Sequence, residues 1–150
     1  MLNNVLTEDK ILLQNNVKNW EEAIQIAAKP LVPEFIKQDY VQAMIENVKE
    51  LGPYIVIAPD IAIAHARPDG NVHKVGLSLL KLDESINFGE DSHYAALVFV
   101  LAAVDNEQHL DLLSELANVL NDSEKVSQIK HCSSSKKIVN IISKTHKEEF

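Results

Sequence analysis

The fold class this chain predicts is α/β or α+β, with helices covering a mixed sheet, and three observations predict it. Apolar residues fall at helical spacing toward both ends, the period shortens to strand-like runs in the middle, and the stretch Tyr94 to Val104 contains no charge. A strand with one wet face alternates, so an uninterrupted apolar stretch predicts a strand buried on both faces and therefore the centre of the sheet.

Taken in order, Trp20, Ala23, Ile24, Ala27 and Leu31 share one helical face behind Asn19 as N-cap, with Pro30 and Pro33 closing the segment. Val41, Met44, Ile45, Val48 and Leu51 give a second helix its apolar face, with Asp39 as cap and Gly52-Pro53 as its end. Tyr54 to Ile57, Ile61 to Ala64 and Val75 to Leu82 are short and rich in strand-favouring residues, and are predicted strands. The acidic pairs Asp83-Glu84 and Glu90-Asp91, flanking Ser85 to Gly89, read as solvated turn residues. After Asp105-Asn106, the residues Leu110, Leu113, Leu116, Ala117 and Leu120 mark an amphipathic helix from about Glu107, with His109 in its first turn. Ile138, Ile141 and Ile142, capped by Ser134 or Ser135, mark a last helix before a charged, frayed tail.

A length of 150 residues suits one domain spanning 1–150, and no repeat or low-complexity linker divides it. A net charge of -8 argues against a dominant role on nucleic acid or an anionic membrane. The single cysteine, Cys132, allows no intramolecular disulfide and no thiolate cluster. With neither a leader pattern nor a membrane-length apolar run, the expected location is the cytoplasm.

The segment Ile61-Ala62-Ile63-Ala64-His65-Ala66-Arg67-Pro68 runs from a strand into a polar turn and holds the chain's one arginine. A guanidinium used once suits an anion, because its fork of donors matches phosphate or carboxylate better than an ammonium does. Two readings fit His65. It is a phosphoryl acceptor, with one ring nitrogen fixed by a hydrogen bond and the other free to attack, or it is a partly buried histidine bonded to a carbonyl. In the first reading Arg67 and backbone N–H groups around Ala66 hold the phosphate oxygens. His109 has a similar pair of readings. A helix's first turn offers N–H donors and a positive dipole end to an incoming phosphate, and it is also an ordinary place for a solvated histidine. His73, His93, His131 and His146 form no zinc-hydrolase spacing. Ser78, Ser92 and Ser114 lack a nucleophile-elbow context, and no Walker loop or Gly-x-Gly-x-x-Gly is present.

The His65 segment, then Ile86-Asn87-Phe88-Gly89, then Leu101-Ala102-Ala103-Val104-Asp105 with His109-Leu110, resemble the IIA components of the bacterial sugar phosphotransferase system, in the mannitol/fructose superfamily. The His-Ala-Arg-Pro form, Trp20-Glu21-Glu22-Ala23-Ile24 and Pro53 to Pro59 look most like its ascorbate-type branch. The resemblance runs from about Leu6 to Ile142. It implies a mixed sheet of about five strands with helices on both faces, and no metal or nucleotide cofactor. It implies further that His65 accepts a phosphoryl group from the phosphocarrier HPr on the ring nitrogen distal to the backbone. His65 then passes the group to a cysteine of a cognate IIB protein, whose linked IIC protein moves the sugar across the membrane. His109 matches the second histidine that the family places beside the first.

Three departures accompany the resemblance. Mannitol-type members use an arginine on the second long helix, where this chain has Lys49 or a neighbour, which leaves Arg67 as the guanidinium near the phosphate. Family members carry proline just before the active histidine and glycine in the preceding turn, where this chain has Ala64 and Asp60. Alanine permits more motion there, and Asp60 is expected to bring a negative charge near the phosphate. Two rivals remain. One is a regulatory protein of the same fold, whose histidine phosphorylation controls a partner. The other is a metal-dependent hydrolase with His65, His73 and His109 as ligands. A carrier also needs a docking surface with an apolar centre, for which Ile61, Ile63 and Leu110 are candidates.

Overall fold

The computed structural model describes residues 2–89 and 92–143, so Glu90, Asp91, His146 and the charged tail of the sequence reading lie outside it. Among the described residues the elements run α1 (Leu2–Val5), β1 (Ile11–Gln14), α2 (Trp20–Ala28), α3 (Gln38–Leu51), β2 (Val56–Ala58), β3 (Asp60–Ala64) and β4 (Gly76–Asn87). They continue with β5 (Tyr94–Ala102), α4 (Asn106–Leu120), α5 (Ser123–Lys130) and α6 (Ser135–Ser143). The five strands form one mixed sheet in the order β1-β4-β5-β3-β2. β5 is its centre, parallel to β3 and antiparallel to β4.

Alternation along the strands feeds two cores. Ala62, Ala64, Leu80, Leu82, Val98 and Val100 pack under α2 and α3. Ile61, Ile63, Leu77, Leu79, Leu97 and Phe99 pack under α1, α4, α5 and α6. Helices therefore cover both faces, and β5 needs no polar side because neither of its faces meets water.

Several elements differ from the sequence reading. Asp39 is not the cap of α3. Lys37 N–H bonds Asn71 O at 2.9 Å and Ile36 bridges Val72, which holds the entry extended up to Lys37 and starts the helix at Gln38. Asp39 sits in the first turn, where a negative charge suits the positive helix end. The strand expected at Tyr54–Ile57 begins only at Val56. Gly52 adopts φ 88°, and bonds from Tyr54 N–H to Gly52 O and from Val56 N–H to Pro53 O prolong the turn. Asp83 and Glu84 are not turn residues, since β4 runs on to Asn87 across a register shift between Lys81 and Ile86. Asn19 caps α2 as expected, accepting from Glu22 N–H at 2.8 Å. β1, α1 and α5 are elements that the sequence reading lacked.

Candidate active site

Because β3 and β5 are parallel, their C-terminal ends lie side by side. The residue leaving β3 is His65, and the helix entered after β5 carries His109. Binding sites in open α/β sheets lie beyond the carboxyl ends of the strands, and this pair sits there. The ring centroids of His65 and His109 are 5.1 Å apart with their planes at 59°. Both are half-buried. They open into a cleft of about 240 Å³ lined also by Asn47, Leu51 and Tyr54, and by Arg67, Pro68 and Asn106.

The reading of His65 as a partly buried histidine bonded to a carbonyl holds, and the same contact orients its ring. Its Nδ1 lies 2.9 Å from Ile63 O. A carbonyl only accepts, so Nδ1 carries the proton, and in the neutral ring Nε2 holds the free lone pair. The bond fixes the ring so that the distal nitrogen is the one left to the cleft. Tyr54 presents its ring edge-on to His65 at 5.7 Å, and its hydroxyl reaches His65 O at 3.4 Å. Burial raises the Tyr54 pKa, against the opposing effect of a hydrogen bond with Asn47.

His109 is set by the start of α4. Asp105 accepts from Gln108 N–H at 2.8 Å, and Gln108 Oε1 accepts from Val104 N–H at 3.1 Å, close to a capping box. The N–H of His109 is already bonded to Asp105 O, so the ring of His109 and not its backbone serves the cleft. Burial first, and then the proximity of His65, lower the His109 pKa. Arg67 is exposed at the mouth.

Three expectations about the site are corrected. The Ala66 N–H is not available to a phosphate, because it donates to the Tyr40 hydroxyl at 3.0 Å. Lys49 does not stand in for the mannitol-type arginine. It turns outward to pair with Glu46 at 3.8 Å, and its neighbours Asn47 and Leu51 are the α3 residues that line the cleft. Asp60 brings no charge near the phosphate. It opens β3 while His65 follows its far end, and its carboxylate bonds Lys130 Nζ at 2.6 Å. Asp60 also takes φ 70°, a region that glycine adopts freely and that aspartate tolerates better than most residues. Ala64 is fully buried and paired with Val100.

His73 does not line the cleft. Its N–H bonds Phe35 O at 2.7 Å, and among the described residues no group of three or more His, Cys, Asp or Glu could hold a metal ion. Ile61 and Ile63 are core, whereas Leu110 is 64% exposed beside His109 and Leu51 is 67% exposed across the cleft. Tyr40, Tyr54, Asn47 and Asn106 were missed as site residues. A lone tyrosine in the apolar stripe of α3 was the one signal that could have pointed to Tyr40.

Two histidines in ring contact and an exposed guanidinium share one shallow cleft with apolar rims, beyond the ends of two parallel strands. The chain belongs to the phosphoenolpyruvate-dependent sugar phosphotransferase system EIIA 2 family, whose model matches residues 4–145. It is 32% identical over 149 residues to the ascorbate-specific PTS system EIIA component of Escherichia coli (strain K12), covering 97% of each chain. In structure it is similar to the mannitol-specific cryptic phosphotransferase enzyme IIA of Escherichia coli, with a TM-score of 0.88, 30% identity and coverage of 95% and 98% of the two chains. It is also similar to enzyme IIAMTL of Escherichia coli, solved in complex with phosphorylated enzyme IIBMTL, with a TM-score of 0.82, 28% identity and coverage of 92% and 96%. Among the described residues no helix is long and apolar enough to cross a membrane.

Proposed function

We propose that the protein is a cytoplasmic IIA phosphocarrier that takes a phosphoryl group from phospho-HPr on His65 Nε2 and passes it to a cognate IIB protein, in a system importing ascorbate or a related sugar through its IIC protein. The observation that carries this reading is the Nδ1 bond of His65 to Ile63 O, which makes Nε2 the ring nitrogen with the free lone pair in the neutral tautomer. The ascorbate-specific relative supports the substrate class, and the neighbour solved with a phosphorylated IIB supports the partner.

In the transfer, the Nε2 lone pair attacks phosphorus as the donor's N–P bond breaks, and the donor imidazole leaves with that electron pair. The positive charge that develops on the His65 ring is spread to Nδ1–H, where the Ile63 carbonyl stabilises it. Arg67 supplies guanidinium donors to the equatorial oxygens, and His109 supplies an N–H. An arriving dianion opposes the lowering of the His109 pKa, so His109 becomes a better proton carrier while the group is present. No metal or nucleotide takes part. The exposed Leu51 and Leu110 give a partner apolar contacts small enough for rapid release.

The test is intact-mass analysis after incubation with phosphoenolpyruvate, enzyme I and HPr, beside His65→Ala. One acid-labile phosphoryl adduct on the wild type and none on the variant is the expected result. No adduct on the wild type, with HPr shown to be charged, would overturn the proposal and favour a regulatory protein outside the relay.

A further inference from the structure

The donors of β3 alternate between its two neighbours. Ile63 N–H bonds Ile55 O at 2.9 Å on the β2 side, so the N–H groups of Ala62, Ala64 and Ala66 face β5. The register Ala64↔Val100, carried on by one residue, sets His65 opposite Leu101. The next rung of the parallel ladder would then run from Ala66 N–H to Leu101 O. Both of those groups are taken by the Tyr40 hydroxyl instead. It accepts from Ala66 N–H at 3.0 Å and donates to Leu101 O at 2.7 Å. Ala66 O lies 3.2 Å away, and the single hydroxyl proton serves the shorter bond.

Tyr40 can enter this rung because its neighbours on that face are small. Ala62 and Ala64 are fully buried and Ala66 is nearly so, while Tyr40 itself is 0% exposed. Burial pushes its pKa up to about 12, so the hydroxyl keeps its proton and remains both donor and acceptor at neutral pH. The strands part here by the width of one hydroxyl. On one side the chain has just passed His65, and on the other it runs through Ala103, Val104 and Asp105 into the helix that carries His109.

We infer that the Tyr40 hydroxyl is a positioning group that sets the separation of His65 and His109, acting through the backbone of Ala66 and Leu101 without touching the transferred phosphoryl group. Its effect on transfer rate rests on the phosphocarrier reading, while its effect on the histidine pair does not.

The test compares two single-hydroxyl deletions. Tyr40→Phe keeps the ring and removes the bridge. Ser78→Ala is the control, because it too deletes a fully buried hydroxyl bonded to a carbonyl, Ala27 O, on the same side of the sheet but outside the cleft. Histidine ring ¹⁵N spectra are recorded on the unphosphorylated proteins, and kcat and KM for charged HPr are measured on each. Tyr40→Phe is expected to move the His65 and His109 ring signals and to lower kcat roughly tenfold to a hundredfold at unchanged KM. Ser78→Ala is expected to do neither. Unmoved ring signals in Tyr40→Phe, or a loss of kcat no larger than the control's, overturn the inference. If the wild type accepts no phosphoryl group yet the ring signals move, the carrier reading fails and the positioning role stands. Should Tyr40→Phe not fold, 3-fluorotyrosine at position 40 keeps the hydroxyl and reports by ¹⁹F resonance. A signal that follows the histidine titration supports the link, and a fixed one overturns it.

Discussion

At the start of β3, Asp60 takes a left-handed backbone angle and closes an ion pair with Lys130; just past its other end, His65 holds a carbonyl with one ring nitrogen and keeps the other free. Both residues are polar and both stand where the chain leaves regular structure. Five residues of extended chain separate them by about 16 Å. At the first end the Asp60 carboxylate is paired with Lys130, and the ion pair joins the strand to α5. At the second, the backbone groups are satisfied by Tyr40 and Tyr54, while the side chains of His65, His109 and Arg67 face a cleft. Asp60 is therefore a fastening at the end of β3 away from the histidine pair.

That contrast breaks most visibly at His65. His65→Ala removes the only proposed acceptor atom, so phosphoryl uptake measured by intact mass should fall to background while the circular dichroism and the melting temperature stay near those of the wild type. Uptake persisting in the variant would place the chemistry elsewhere. Arg67→Ala comes next. The side chain is exposed and makes no ion pair among those described, so stability should be unchanged, while the uptake rate falls on the order of a hundredfold. Arg67→Lys should recover only part of the rate, since an ammonium lacks the fork. A rate loss below about threefold in Arg67→Ala would remove the guanidinium from the site.

The two ends of β3 were not equally legible in the sequence. His65, Arg67 and His109 stand out by residue type beside a strand end and a helix start, and the structure brings all three to one cleft. The helices α2, α3 and α4 and the central strand β5 were legible because periodicity or charge-free length spans two or more turns of pattern. β1 is four residues long and becomes a strand only by pairing with β4, so it has no pattern of its own. α5 buries just Lys125 and Ile129, which is too little to show a face. The Asp60 partner lies 70 residues away, and the partners of the Tyr40 hydroxyl are backbone atoms. Neither kind of contact leaves a trace in residue order.

A smaller effect sharpens the electrostatics of the functional end. His109→Gln keeps a donor but cannot carry a proton, and uptake should slow by about tenfold, the scale of one charge-assisted hydrogen bond. The same variant changes the pH dependence of stability. The His109 pKa is lowered in the folded protein, so the unfolded chain binds the extra proton first as pH falls below about 6.5. Stability associated with this residue is then complete above that pH and declines as pH falls toward the folded value. Urea unfolding of the wild type should show this decline as pH falls below about 6.5, and His109→Gln should show less of it. An identical slope in both proteins would mean that His109 is not held neutral by its surroundings.

The smallest effect is expected at the other end, and it decides whether that end is a fastening alone. Asp60 and Lys130 are each one-third exposed, so their ion pair contributes at most about 1 kcal/mol. Asp60→Gly gives up that pair but takes φ 70° without strain, and its stability should stay within about 1 kcal/mol of the wild type. Asp60→Ala loses the same pair and adds a Cβ at a positive φ, so it should be less stable than the glycine variant by about 1 kcal/mol. Neither variant should alter the rate of phosphoryl uptake. A rate that rises in both would show the carboxylate acting on the phosphate across the length of β3, and the separation of the two ends would have to be given up.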